Sequence, residues 1–107
     1  MKKWIKVATA AALGVAMSAS AANAAWEKVV IATEGAYPPF NEIDANGKAI
    51  GFDVDIANAL CESAGLTCEI VTQDWDGMIP GLLAKKYDAI IAQMSITEER
   101  KRSIDFT

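Results

Sequence analysis

The sequence predicts an α/β fold built on a largely parallel sheet. Three short β-rich runs recur along the chain, at 28–33, 68–73 and 88–92. Segments with helical spacing and helix-stop residues separate them. The resulting order, β-α-β-α-β-α-β, requires crossover connections between parallel strands, and such crossovers are right-handed.

The first strand, Lys-Val-Val-Ile-Ala-Thr at 28–33, is followed by Glu34-Gly35-Ala36-Tyr37-Pro38-Pro39-Phe40, which is expected to be loop because two prolines oppose regular pairing. Residues 44–48 form a turn with Asn46-Gly47 at its tip. Asp53 is placed to cap a helix over 54–64, with Val54, Ala57, Leu60, Cys61 and Ala64 on one face and Gly65 as its stop. The second strand covers 68–73. Trp75 and Asp76 begin a second helix, in which Pro80 is tolerable only in or near the first turn. Leu82, Leu83 and Ala84 continue it, and Lys85-Lys86 suit its C-terminal dipole. After the third strand, Thr97 caps a short helix with Glu98 and Glu99 in its first turn. Residues 103–106 begin another extended piece.

Residues 1–24 have the pattern of a cleaved secretory signal rather than of fold. Lys2, Lys3 and Lys6 precede an apolar, alanine-rich run, and Ala22-Asn23-Ala24 is a small-x-small cleavage site. The apolar run is too short to span a bilayer. Cleavage after Ala24 leaves residues 25–107, with 7 basic and 14 acidic side chains. That balance argues against nucleic acid, which asks for a basic face. In an exported chain the closely spaced pair Cys61 and Cys68 reads as a disulfide, the alternative being two free buried thiols. A zinc set is not available, because the chain has no His and no further Cys.

In a parallel sheet, the loops after successive strands open on one edge, where ligands of α/β proteins bind. The first loop carries Glu34 and Tyr37, the second Asp74, Trp75 and Asp76, and the third Gln93, Ser95, Thr97 and Arg100. A carboxylate, two aromatics and an anion clamp of hydroxyls, helix-start amides and guanidinium therefore converge. The set suits a zwitterion with a cationic tail: Arg100 for a carboxylate, Tyr37 and Trp75 for the side chain, Glu34 for the distal cation. Taken singly, each residue has a plainer role: Arg100 on a solvated helix face, Tyr37 packed on prolines, Trp75 in the core, Glu34 on the surface. No catalytic set, metal site or cofactor motif is visible.

The segments Ala32-Thr-Glu-Gly-Ala-Tyr-Pro-Pro-Phe40, Gly51-Phe-Asp-Val-Asp-Ile56, Asp74-Trp-Asp-Gly-Met-Ile-Pro80, Tyr87-Asp-Ala-Ile-Ile91 and Ser95-Ile-Thr-Glu-Glu-Arg100 resemble the periplasmic solute-binding proteins of polar amino-acid ABC transporters. The nearest likeness is to the lysine/arginine/ornithine-, histidine- and octopine/nopaline-binding branch. The resemblance implies a type 2 periplasmic binding protein, no enzymatic activity and no cofactor. It implies an amino-acid ligand, basic or opine-like, and a membrane permease as partner. Carried over, it implies that Arg100 and the Ser95 backbone take the α-carboxylate. Tyr37 and Trp75 sandwich the side chain, and Glu34 holds the distal amine or guanidinium. Ala92 and Gln93 line the site through backbone, and Cys61 and Cys68 match the branch's disulfide. Ala92-Gln93 stands where lysine and histidine binders have a serine pair, and the small apolar Ala92 looks more like the opine-type branch. Such proteins trap ligand between two lobes. The chain reads as an incomplete first lobe, ending before the hinge and second lobe, and is expected not to bind tightly alone. Two other roles use the same fold: a periplasmic dehydratase, and the sensing domain of a receptor kinase.

Overall fold

A computed structural model describes residues 28–107; the proposed signal, 1–24, lies outside the described residues. Two sheets form. Strands β1 (Val29–Thr33), β5 (Cys68–Thr72) and β6 (Ala89–Ile90) make a parallel sheet in the order β5-β1-β6. Strands β2 (Ala36–Tyr37), β3 (Asn41–Ile43) and β4 (Ala49–Ile50) make a small antiparallel sheet beside it. The helices are α1 (Phe52–Ala64), α2 (Met78–Leu83) and α3 (Glu98–Lys101).

The central strand β1 is covered on both faces, so its run Val-Val-Ile-Ala is apolar without interruption, as expected of a strand with no solvent side. Successive side chains go to opposite faces. Ile31 joins Ala57 and Cys61 of α1 in one core, with Val29, Ile70, Ala89 and Ile91 packed around them. Ala32 joins Met78, Tyr87 and Ala92 in the other, with Val30, Val71, Leu82 and Ile90 around them. β1 pairs in register with β5 from Val29↔Cys68 to Thr33↔Thr72, and with β6 at Ile31↔Ala89 and Ala32↔Ile90.

The loop expected after β1 contains a short strand instead. Ala36 and Tyr37 pair with Glu42 and Asn41, because the two prolines that would block pairing come only afterwards, at the turn between β2 and β3. The expected turn at 44–48 joins β3 to β4. The Asp44 carboxylate accepts the N–H of Asn46 at 2.8 Å and of Lys48 at 2.9 Å, and Gly47 takes φ 78° at the tip.

Helix α1 starts earlier than expected and Asp53 is not its cap. Gly51 holds that position at φ 119°, where a side chain would be strained and a Cβ would fall 2.5 Å from the Phe40 carbonyl oxygen. Asp53 sits inside the first turn and is buried. Of the expected face, Val54, Ala57 and Cys61 are buried, whereas Leu60 and Ala64 are exposed. Gly65 ends the helix in the left-handed conformation. Its N–H bonds the Glu62 carbonyl at 3.1 Å and that of Leu66 bonds Cys61 at 2.9 Å, a Schellman closure. Cys61 and Cys68 are disulfide-bonded across this turn, tying the end of α1 to the start of β5. For a ring with a sequence separation of 7, chain entropy alone contributes about 2–3 kcal/mol.

Trp75–Gly77 is a 3₁₀ turn, and the α-helix begins only at Met78, which places Pro80 in its first turn. Lys85 and Lys86 lie beyond α2, so they do not occupy its last turn. Lys85 takes φ 59°, its N–H bonding Leu82 while that of Lys86 bonds Gly81, both at 3.0 Å. The third strand is shorter than 88–92, but its ladder continues through Asp88 N–H to Val30 and Ile91 N–H to Ala32. The Asp88 carboxylate accepts the Val30 N–H at 2.8 Å. Thr97 caps α3 as expected, its Oγ1 accepting the Arg100 N–H at 3.1 Å. The extended piece at 103–106 forms no strand. Ser103 and Ile104 instead donate back to the Arg100 carbonyl, closing α3.

Tyr87 locks α2 to the sheet. Its ring is buried in the second core, and its hydroxyl donates to the carbonyls of Met78 and, at 3.1 Å, Gly77. Burial pushes the phenol above its usual pKa. The native state therefore favours the neutral form: this contribution is full below the unfolded pKa of about 10 and is lost as pH rises through the higher folded value. Tyr87→Phe is expected to cost about 1–2 kcal/mol by urea denaturation at neutral pH, and to flatten the fall in stability above about pH 10.

Candidate functional site

The three parallel strands bring their outgoing connections to one edge. Thr33 and Thr72 are register partners, and the Gln73 N–H extends the pairing to the Thr33 carbonyl at 3.0 Å. On the other side, the Ile91 N–H reaches Ala32 at 3.0 Å. The stretches beginning at Glu34, Gln73 and Gln93 therefore leave the sheet side by side, at the carboxyl ends of its strands.

On this rim Arg100 is held by three contacts. Its Nη1 donates to the Ser95 carbonyl at 2.7 Å, its backbone N–H is tied to Thr97, and its guanidinium carbon lies 5.5 Å from the Trp75 ring centroid. That last distance is within cation–π range. Arg100 projects from α3, which Thr97 caps, and Trp75 stands at the start of the 3₁₀ turn. Together with Asp76, Ile79, Pro80 and Met94 they enclose a pocket of about 190 Å³. Trp75, Ser95 and Arg100 are thus brought together as the sequence suggested.

Glu34 and Tyr37 lie on the neighbouring connection. Glu34 is half-buried, and among the described residues no ion pair engages its carboxylate. Tyr37 is 50% exposed, and its ring packs against Phe40, with centroids 5.1 Å apart. The face of Trp75 carries Arg100 rather than Tyr37. Ala92 is buried in the second core, so its side chain belongs to packing. Gln93 takes φ 58°, a left-handed conformation unusual for a residue with a side chain, and its Nε2 donates to Asp53 Oδ1 at 2.5 Å.

The rim is acid-rich: Glu34, Asp74 and Asp76 stand on its first two connections and Arg100 on the third. It can therefore offer a carboxylate to a cation and a guanidinium fork to an anion. No group of three or more His, Cys, Asp or Glu among the described residues is arranged to hold a metal.

Sequence reasoning missed two buried polar residues beneath the rim. Asp53 is 1% exposed and Asn41 fully buried. Asn41 Nδ2 donates to Asp53 Oδ2 at 2.9 Å, and its Oδ1 accepts the Gly35 N–H at 2.7 Å. The available signal was Gly51: a glycine already at the cap leaves the following aspartate free for another partner. Asn41 follows Pro-Pro-Phe and carries no comparable signal.

The model of the bacterial extracellular solute-binding proteins, family 3, matches residues 29–107, and the chain belongs to that family. It is 54% identical over 85 residues to the octopine-binding periplasmic protein of Rhizobium meliloti, covering 78% of this chain and 29% of that one. A periplasmic His/Glu/Gln/Arg/opine family-binding protein from Silicibacter pomeroyi, solved with lysine, superposes with a TM-score of 0.72 at 54% identity, over 74% of this chain and 36% of that one. The arginine-bound form of domain 1 from TmArgBP superposes with a TM-score of 0.67 at 43% identity, over 71% of this chain and 60% of that one. The chain spans between 29% and 42% of the length of the curated relatives it matches. The family and these relatives are binding proteins, not enzymes, and their fold is the type 2 periplasmic one.

Proposed function

We propose, from membership in the family 3 solute-binding proteins, that this chain supplies one wall of a site that captures a basic amino acid or an opine outside the cytoplasm, for delivery to the permease of an ABC importer. The observation that carries the reading is Arg100, held against Trp75 and the Ser95 carbonyl on the same sheet edge as Glu34. The guanidinium has five N–H donors, and one nitrogen already serves Ser95, so the remainder of the fork is available to a ligand carboxylate. The backbone about Ser95 would share that anion. Trp75 and Tyr37 would flank the ligand side chain, and Glu34, which pairs with no cation among the described residues, would take its distal charge. Ala92 and Gln93 would shape the floor through backbone. The octopine-binding relative and the neighbours solved with lysine and arginine support a cationic or opine ligand. Residues 1–24 would be the export signal, removed on delivery to the periplasm, with no cofactor and no nucleic acid involved.

The arginine-bound domain 1 from TmArgBP is a precedent for ligand on one lobe, although this chain covers only 60% of it. Burial between two lobes would still supply most of the affinity, because closure removes water from the charged contacts.

Glu34→Gln in the complete protein is expected to weaken arginine or lysine by about 2–5 kcal/mol in calorimetry, the range for breaking a desolvated charge pair. Tighter binding of glutamate than of arginine by the unmodified protein would exclude a basic ligand. Arg100→Ala is expected to depress every amino-acid ligand to a similar degree, since all share the carboxylate it reads; loss confined to one ligand would show that it serves selectivity instead. Residues 25–107 expressed alone are expected to show no tight binding on titration with arginine, lysine, histidine and octopine. A cooperative thermal transition together with micromolar affinity would show that one wall suffices.

A further inference from the structure

Two connections of the rim meet beneath it at a single buried carboxylate. Asp53 accepts Nε2 of Gln93 on one oxygen, at 2.5 Å, and Nδ2 of Asn41 on the other, at 2.9 Å. Asn41 passes the contact on: its Oδ1 accepts the N–H of Gly35, the residue after Glu34, at 2.7 Å, and its backbone pairs with Tyr37 across β2 and β3. The chain of bonds runs from the loop after β6, through the first turn of α1, to the loop after β1. Both ends are in left-handed conformations, Gln93 at φ 58° and Gly35 at φ 81°. Gln93 has no glycine-like freedom, and in that conformation its side chain is bonded to Asp53. Among the described residues no cation pairs with Asp53. Two amide donors and the start of a 13-residue helix compensate its charge, and it is 1% exposed.

From this we infer that Asp53 is a positioning residue: without touching ligand, it sets the spacing between the Glu34–Tyr37 loop and the Gln93–Ser95 loop, and through that spacing the affinity of the site. The inference rests on the proposed amino-acid site. Two donors face the two oxygens, so Asp53→Asn must turn its own amide against one of them. The double change Asp53→Asn with Gln93→Glu reverses one donor and one acceptor, so every bond of the chain can form again.

The experiment uses the complete protein in three parts. Calorimetry with arginine, lysine and octopine is expected to give a loss of about tenfold or more for Asp53→Asn, the equivalent of one unsatisfied buried donor, and recovery of most of it in the double variant. Val54→Ala, at the next helix position and likewise buried, controls for lost stability and is expected to keep its affinity while lowering the melting temperature. Amide NMR without ligand is expected to show the Gly35 resonance displaced by Asp53→Asn and restored in the double variant. Unchanged affinity in Asp53→Asn, no recovery in the double variant, or an equal loss in Val54→Ala would each overturn the inference. If the unmodified protein bound none of the three ligands, the functional reading would fall and this inference with it. The Gly35 resonance would then still report whether Asp53 couples the two loops.

Discussion

Burial of β1 on both faces is the constraint on which the other elements depend. A five-residue strand with no solvent side must be covered by separate layers, because alternate side chains point in opposite directions. Ile31 and Ala32 are adjacent in sequence yet belong to different cores, one roofed by α1 and the other by α2 and Tyr87. The parallel partners follow. Each flanking strand must be reached by a crossover, and each crossover delivers one of those covering layers. The disulfide and the Schellman turn at Gly65 act at the place where α1 hands the chain to β5.

That arrangement also explains why the candidate site lies where it does. In a parallel sheet every strand ends on the same edge, so the connections that carry residues 34, 75 and 93 leave from one edge although helical crossovers separate them in sequence. The edge is chemically mixed because the connections differ in kind. The first is a β-ribbon that follows Glu34 and carries Tyr37, the second a 3₁₀ turn that carries Trp75, the third an extended run into a capped helix that places Arg100 over the Trp75 ring. Strand packing, rather than sequence proximity, brings the acidic and basic connections to one edge.

Polar burial beneath the rim is the second organising feature. Asn41, Asp53 and Thr33 are as buried as the apolar core. Asn41 and Asp53 satisfy one another and the flanking loops, whereas the Thr33 hydroxyl finds no partner among the described residues. Buried polar groups cost stability unless bonded, so a bonded chain of them specifies one loop arrangement in a way that apolar packing does not.

The α/β class, the three parallel strands, the stop at Gly65, the cap at Thr97 and the cysteine pairing were all legible in the sequence. Each rests on local chemistry: β-rich runs, left-handed glycine, a hydroxyl before an acidic first turn, two cysteines a short ring apart. That the connections after the parallel strands leave on one edge was legible too, because parallel topology follows from element order. Tertiary structure alone decided the rest. Pairing of Ala36 and Tyr37 depended on where the prolines fell relative to β3. The role of Asp53 depended on Gly51 taking the cap and on Asn41 and Gln93 arriving from elsewhere in the chain. Local propensity sees only neighbours in sequence, whereas the partners of a buried carboxylate lie 12 and 40 residues away.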